Sequence, residues 1–71
     1  MDKDINIILG KRIASLRIGA NLSQEKFAER CNVHRTYIGA IERGEKSPTL
    51  VTIEKIARGL NISISELFVG L

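Results

Sequence analysis

Apolar residues recur three and four positions apart near the start of the chain, which is the spacing of one face of an amphipathic helix. The residues of this apolar stripe are Ile5, Leu9, Ile13 and Leu16. The pattern predicts a first helix from about Asp4 to Ile18. Gly19 follows, and glycine is suited to the left-handed conformation in which many helices end. We therefore expect Gly19-Ala20-Asn21 to break the helix, with Gly19 as its left-handed residue.

Two shorter helices are predicted on either side of Asn32. The first begins after Ser23, a good N-cap residue, and the second runs from about His34 to Arg43 and ends before Gly44. Asparagine tolerates a positive φ angle, so a tight turn is expected at Asn32. The side chains of this helix pair that are predicted to face inward are Phe27, Ala28, Cys31, Val33, Ile38 and Ile41.

Two further helices are predicted in the last third of the chain. The fourth begins at Ser47 or Thr49 and ends at Asn61, and its predicted buried stripe is Leu50, Ile53, Ile56, Ala57 and Leu60. The segment Ser63–Glu66 matches a capping box and opens a fifth helix that ends near Val69. No segment shows the alternation expected of a strand. The sequence predicts an all-α fold, a compact five-helix bundle in which residues 1–71 form one domain.

Length and charge narrow the possible functions. A chain of 71 residues that is 44% hydrophobic can fold, but so small a domain has marginal stability, and a partner subunit would help. The net charge is +3, and all of this excess lies between Met1 and Lys46, which hold nine basic and six acidic residues. The segment from Ser47 onward is neutral and rich in apolar residues. This division indicates a polyanionic partner for one face and a different role for the other.

Several function classes lack the residues they would need. One cysteine, Cys31, and one histidine, His34, are too few for a zinc site or an internal disulfide, and Cys31 is most simply a small core residue. The chain has no glycine-rich phosphate loop and no evident catalytic pair, so we predict that it is not an enzyme. Its start resembles neither a signal peptide nor a membrane span. We expect a soluble cytoplasmic protein with no cofactor, no small-molecule ligand and no membrane partner.

The two helices around Asn32 form a candidate helix-turn-helix over Ser23–Arg43. In such a motif the second helix projects from the body and can enter the DNA major groove, which is about 12 Å wide. The predicted outward stripe is Thr36, Gly39, Ala40 and Arg43, flanked by Arg35. Arginine can bond guanine O6 and N7, threonine can bond a base or offer its methyl to thymine, and alanine can make only the methyl contact. We therefore predict that Arg35, Thr36 and Ala40 contact bases.

Other residues near this helix suit contacts with the DNA backbone. Gln24 opens the second helix, where free backbone amides attract an anion, and Lys46 and Ser47 lie in the loop after the third helix. Arg43 can contact either a base or a phosphate. A glycine within a short helix costs about 1 kcal/mol relative to alanine, so Gly39 indicates a close approach. The approaching surface is either DNA or another helix of the protein.

The ordered motifs resemble the Cro/C1 repressor-type (XRE-like) helix-turn-helix family over nearly the whole chain. They are Leu22-Ser23-Gln24-Glu25-Lys26-Phe27-Ala28, Tyr37-Ile38, Ile41-Glu42-Arg43-Gly44, Pro48, and Ile53-Glu54-Lys55-Ile56-Ala57 through Leu60. The run His34-Arg35-Thr36-Tyr37-Ile38-Gly39 further resembles the controller proteins of restriction-modification systems, which are free-standing dimeric regulators. The resemblance implies a lambda repressor-like DNA-binding domain and a homodimer that regulates transcription from a palindromic operator. RNA polymerase is then a further candidate partner.

The resemblance also implies individual roles. Gln24 matches a phosphate-binding position, Tyr37 a position on the DNA backbone or a base step, and Arg17 and Glu42 a structural ion pair. Two positions depart from the family pattern. The turn residue is Asn32 rather than glycine, and His34 stands where the family often has a better N-cap. His34 is either merely exposed or a contact to phosphate or a base, in which case protonation at lower pH would strengthen binding.

The C-terminal segment has more apolar residues than so short a helix can bury within one small domain. We predict a twofold interface formed by Ile62, Ile64, Leu67, Phe68 and Leu71. Such a dimer would place two recognition helices about 34 Å apart, one turn of DNA. The alternative is that these residues complete the core of the monomer.

Three other functions stay open on the sequence alone. They are a phage-type repressor, an antitoxin-like regulator, and a protein-interaction module that does not read DNA. The residues do not determine the operator sequence, and they do not distinguish activation from repression.

Overall fold

The computed structural model describes the chain from Asp2 to Leu71, with side chains from Ile5 onward. Over these residues the fold is all-α, as predicted, with five helices and no strand. The helices are α1 (Asp2–Gly19), α2 (Gln24–Cys31), α3 (Arg35–Glu42), α4 (Leu50–Leu60) and α5 (Ile64–Leu67). None of them is both long enough and apolar enough to cross a membrane.

Local side-chain bonds fix where four of the helices begin. The N-cap residues are Ser23, His34, Thr49 and Ser63. Thr49 rather than Ser47 opens α4, because its hydroxyl accepts the amide N–H of Thr52. At α5 the predicted capping box is complete, since Ser63 Oγ accepts the Glu66 amide at 3.0 Å and Glu66 Oε1 accepts the Ser63 amide at 3.1 Å.

Left-handed asparagines follow three of the helices. Asn32 after α2 has a φ angle of 56°, and Asn61 after α4 has a φ angle of 57°. The helix breaks at Gly19-Ala20-Asn21 as predicted, but Gly19 is still part of α1 and the left-handed residue is Asn21 rather than Gly19. Asparagine can take this conformation because its short polar side chain bonds locally.

The core is built from one face of each helix. The fully buried side chains are Ile13, Phe27, Cys31, Ile38, Ile41, Ile56 and Leu67. Helix α2 packs against α3 and α4, α1 packs against α3, and α5 packs against α4. Arg12 of α1 also ties α5 to the body, because its guanidinium donates to the carbonyl oxygens of Glu66 and Leu67 at 2.8 and 3.3 Å.

Two residues of the predicted stripes lie outside this core. Ile5 is exposed one turn before Leu9, and Leu50 is 83% exposed as the first residue of α4. Helical spacing identifies the face on which each of them lies. Its burial depends on whether another part of the protein packs against that face.

Cys31 is a small core residue, as expected. Its sulfur lies 2.5 Å from the position that a Cβ atom would take at Gly59, so the close packing of α2 on α4 depends on that glycine. Burial raises the pKa of the Cys31 thiol to about 11, against a smaller opposing effect of Arg30. The thiol therefore stays protonated at neutral pH and is unsuited to act as a nucleophile.

Candidate nucleic-acid interface

Helices α2 and α3 and the three residues between them form the predicted helix-turn-helix. Asn32 turns the chain, Val33 packs against the core, and His34 caps α3. The cap is made by His34 Nδ1, which accepts the amide N–H of Thr36 at 3.1 Å. Only an unprotonated Nδ1 can accept this bond. The imidazole of His34 thus caps α3 at a position where the family often has a better N-cap.

A buried ion pair anchors the far end of α3. Arg17 Nε donates to Glu42 Oε2 at 2.7 Å, Arg17 Nη2 donates to Glu42 Oε1 at 3.1 Å, and the two side chains are only 13% and 5% exposed. Arg17 Nη1 donates to the carbonyl of Leu22, and Gln24 Nε2 donates to Glu42 Oε1 at 2.9 Å. One network thus joins α1, the start of α2 and the end of α3. It also neutralises the carboxylate that would otherwise repel phosphates.

The outer side of the motif carries a shallow cleft of about 360 Å³. It is lined by Gln24, Glu25, Arg35, Thr36, Gly39 and Arg43. Arg35 and Thr36 are exposed in the first turn of α3, where their donors and the threonine methyl are available to a base edge. Glu25 was not among the residues predicted at this site. Its carboxylate Oε2 lies 3.3 Å from Arg35 Nη1.

Two members of the predicted outward stripe are buried. Ala40 lies in the interior, so the expectation that it contacts a base is wrong. Helix α3 packs against both α1 and α2, and its buried arc is therefore wider than the stripe of Ile38 and Ile41 alone indicates. Gly39 is covered by side chains of the protein, because a Cβ atom there would lie 3.1 Å from Arg43 Nη1 and 3.7 Å from Gln24 Oε1. The nearer of these atoms belongs to the exposed side chain of Arg43, and Gly39 itself lines the cleft, so DNA and protein both stay possible as the approaching surface.

Among the remaining candidate contacts, Arg43 lines the cleft and the others lie outside its lining. Lys46 and Ser47 are exposed in the loop after α3, and Tyr37 is half-buried against the core. Arg43 is engaged by Glu45, which accepts from Nε at 3.0 Å and from Nη2 at 3.1 Å. This pairing lowers the pKa of the Glu45 carboxyl and raises that of Arg43. Both side chains are solvent-exposed, so the pair contributes little to stability.

Helices α4 and α5 carry an apolar surface formed by Leu50, Val51, Ile64 and Phe68. These residues line a groove of about 330 Å³ between α4 and α5. Leu67 was predicted to lie at a subunit interface. This prediction is wrong, because Leu67 is fully buried in the monomer core. Ile62 is half-buried, whereas Ile64 and Leu71 are exposed. Leu50 and Val51 were not predicted to belong to this surface. Val51 lies off the buried stripe of α4, and this position indicates a second apolar face.

Sequence comparison identifies the family to which this arrangement belongs. A profile described as Helix-turn-helix matches residues 13–67. This chain belongs to the helix-turn-helix family. Control protein C.BamHI of Bacillus amyloliquefaciens is 40% identical to it over 68 residues, which cover 94% of this chain and 84% of that protein. Control protein C.SmaI of Serratia marcescens is 47% identical over 64 residues, which cover 90% of this chain and 76% of that protein.

A solved structure shows the same arrangement of helices. The crystal structure of the restriction-modification controller protein C.AhdI from Aeromonas hydrophila matches with a TM-score of 0.89 at 38% identity. The match covers 92% of this chain and 98% of that one. The resemblance to the helix-turn-helix family and to control proteins is therefore confirmed. The protein is a helix-turn-helix transcriptional regulator similar to restriction-modification control proteins.

Proposed function

We propose that this regulator binds a palindromic operator in double-stranded DNA as a homodimer and controls a restriction-modification operon. The observation that carries the proposal is the exposed pair Arg35 and Thr36, held in the first turn of a helix that is capped at one end and anchored by a buried ion pair at the other. A base-reading side chain needs such support, because small displacements lose the geometry of a bidentate contact.

In the proposed complex α3 lies in the major groove. Arg35 bonds the O6 and N7 of a guanine, and Thr36 contacts the neighbouring base. The start of α2 at Gln24 faces one phosphate, with its free amides and the positive end of its helix dipole. Contacts to the DNA backbone are assigned to His34, Tyr37, Arg43, Lys46 and Ser47. Ala40 has no part in the proposal.

The apolar surface of Leu50, Val51, Ile64 and Phe68 is the proposed dimer interface, with Leu71 and Ile62 at its edge. A twofold axis through this surface lets each groove between α4 and α5 receive the apolar side chains of the other subunit. The basic part of the chain then contacts DNA and the apolar surface contacts the other subunit. This division agrees with the charge distribution along the sequence. Two linked DNA-binding subunits bind a palindrome far more tightly than one subunit does.

The proposal places the protein in the cytoplasm of a prokaryotic cell, with RNA polymerase as a further partner at the promoter. It assigns the chain no catalytic step, cofactor or metal, because regulation by binding requires none.

Replacing Arg35 by alanine is expected to weaken operator binding by about 1 to 3 kcal/mol and to relax the sequence preference at one base pair of each half-site. Selection of bound sequences from random duplexes, followed by affinity measurements on the enriched palindrome, provides the test. Arg58→Ala is the control, since it removes the same charge from an exposed position on α4 and should leave the preference intact. If Arg35→Ala keeps both affinity and preference, Arg35 does not contact a base. If the wild-type protein enriches no sequence, the protein is an interaction module that does not read DNA.

Replacing Leu50 by aspartate is expected to shift the protein from dimer to monomer at tens of micromolar, as measured by sedimentation. Leu50 is the first residue of α4, where the helix dipole favours an acid, so the monomer should stay folded. Ile18→Lys is the control, because it charges another exposed apolar residue at the end of α1 where a cation is favoured. A wild-type protein that sediments only as a monomer would disprove the dimer.

A further inference from the structure

We propose that Glu25 is a specificity-determining residue, which holds Arg35 in position for a base edge and keeps the same guanidinium from settling on the DNA backbone. The inference rests on the proposed function, since it concerns the choice between an operator and other DNA. Glu25 is an acidic residue on the cleft side of the helix-turn-helix, which in the proposed function meets the polyanion DNA. There Glu25 weakens the attraction of the surface for DNA in general.

The contact between the two side chains joins the starts of α2 and α3. Glu25 is the second residue of α2 and Arg35 is the first residue of α3, and Arg35 Nη1 donates to Glu25 Oε2 at 3.3 Å. The side chains are 67% and 66% exposed and line the same cleft as Thr36. The pair is therefore on the surface that the proposed function assigns to bases.

The contact engages only one nitrogen of the guanidinium. Among the side chains that the structure describes, Arg35 Nε and Nη2 have no bonding partner, so one planar edge stays available for guanine O6 and N7. Arg43, which also lines the cleft, differs in this respect. Its Nε and Nη2 both bond Glu45, and this edge is occupied. The carboxylate at Glu25 orients its arginine, whereas the carboxylate at Glu45 occupies the edge that could bond DNA.

The geometry separates two ways in which Arg35 can bind DNA. A guanine in the correct place can bond the free edge while Nη1 stays on Glu25, so the orienting contact survives. A phosphate offers Arg35 only a solvent-exposed, charge-assisted hydrogen bond. Glu25 already provides a contact of this kind. Moving Arg35 to that phosphate also leaves the Glu25 carboxylate unpaired beside a negatively charged backbone. Glu25 therefore lowers the affinity for arbitrary sequences and leaves the affinity for the operator largely unchanged.

The test compares Glu25→Gln with Glu29→Gln. Both substitutions remove one negative charge from α2 while preserving size, and Glu29 has no ion-pair partner among the side chains described from Ile5 onward. The probes are the palindrome that the wild-type protein enriches from random duplexes and a scrambled duplex of equal length and composition. Affinities are measured at one salt concentration, and thermal melting verifies that each variant is folded.

Glu25→Gln is expected to lower the ratio of operator affinity to scrambled-duplex affinity about 10-fold, mainly through tighter binding to the scrambled duplex. Glu29→Gln is expected to tighten binding to both duplexes alike and to leave the ratio within about twofold. Equal behaviour of the two variants would overturn the role of Glu25 while the proposed function stands. Failure of the wild-type protein to enrich any palindrome would instead contradict the proposed function, and the role of Glu25 with it.

Discussion

Replacing Glu42 by glutamine is expected to lower the free energy of unfolding by about 3 to 5 kcal/mol, the cost of leaving one member of a buried ion pair without its partner. Arg17 would lose the anion that accepts two of its bonds, and both side chains are almost completely removed from water. Glutamine keeps the shape of the side chain, so packing is not the cause of the loss. A domain of 71 residues has only about 4 to 11 kcal/mol of stability in total.

Chemical denaturation at a fixed protein concentration measures this effect, because dimerisation would otherwise contribute to the apparent stability. The control is Glu54→Gln, which breaks the ion pair between Glu54 and Arg58 on the surface of α4. That pair has a separation of 3.7 Å and exposed fractions of 55% and 79%, so its loss should cost less than about 0.5 kcal/mol. Similar losses in the two variants would mean that the Arg17–Glu42 pair is not an anchor of α3.

Replacing Gly10 by alanine is expected to destabilise the fold by roughly 2 to 3 kcal/mol, the upper part of the usual cost of overpacking. Helical propensity alone predicts the opposite sign, a gain of up to about 1 kcal/mol. The reason is the contact of α1 with the end of α3. A Cβ atom at Gly10 would lie 2.7 Å from the carbonyl oxygen of Glu42 and closer still to that of Ile41. Backbone atoms cannot rotate away as a side chain can, so the two helices would have to separate.

The melting temperature measures this change, at about 4 to 8 °C per kcal/mol for a domain of this size. Gly19→Ala is the matched control, because Gly19 is also a residue of α1 and a Cβ atom there would have no neighbour within 4 Å among the described residues. We expect Gly19→Ala to be neutral or mildly stabilising. A rise in melting temperature for both variants would show that α1 and α3 are not in close contact.

Local structure was largely predictable from the sequence because its causes are local. An N-cap bond spans two or three residues, so Ser23 and the Ser63–Glu66 box could be identified without knowledge of the fold. The choice between Ser47 and Thr49, and between Gly19 and Asn21, required the structure. Each of these residues has the necessary chemistry, and the path of the chain decides which one is used.

The candidate site was predictable in part for the same reason. Spacing along one short helix placed Arg35 and Thr36 on its outer side, and the family resemblance supplied the pairing of Arg17 with Glu42. The contact between Glu25 and Arg35 had no signal of that kind. The two residues are ten positions apart on different helices, and they meet only because the turn at Asn32 brings the starts of α2 and α3 together.

The sequence by itself determined that this chain forms five helices, that a helix-turn-helix lies between Ser23 and Arg43, and that basic and apolar residues lie in different parts of the chain. Only the tertiary structure decided which apolar side chains are covered. Ala40 is buried and Leu50 is exposed, contrary to their helical spacing alone, and Leu67 lies in the monomer core rather than at a subunit interface. Helical periodicity fixes the direction in which a side chain points. Its burial depends on whether another helix lies there, and that is a property of packing across the whole domain.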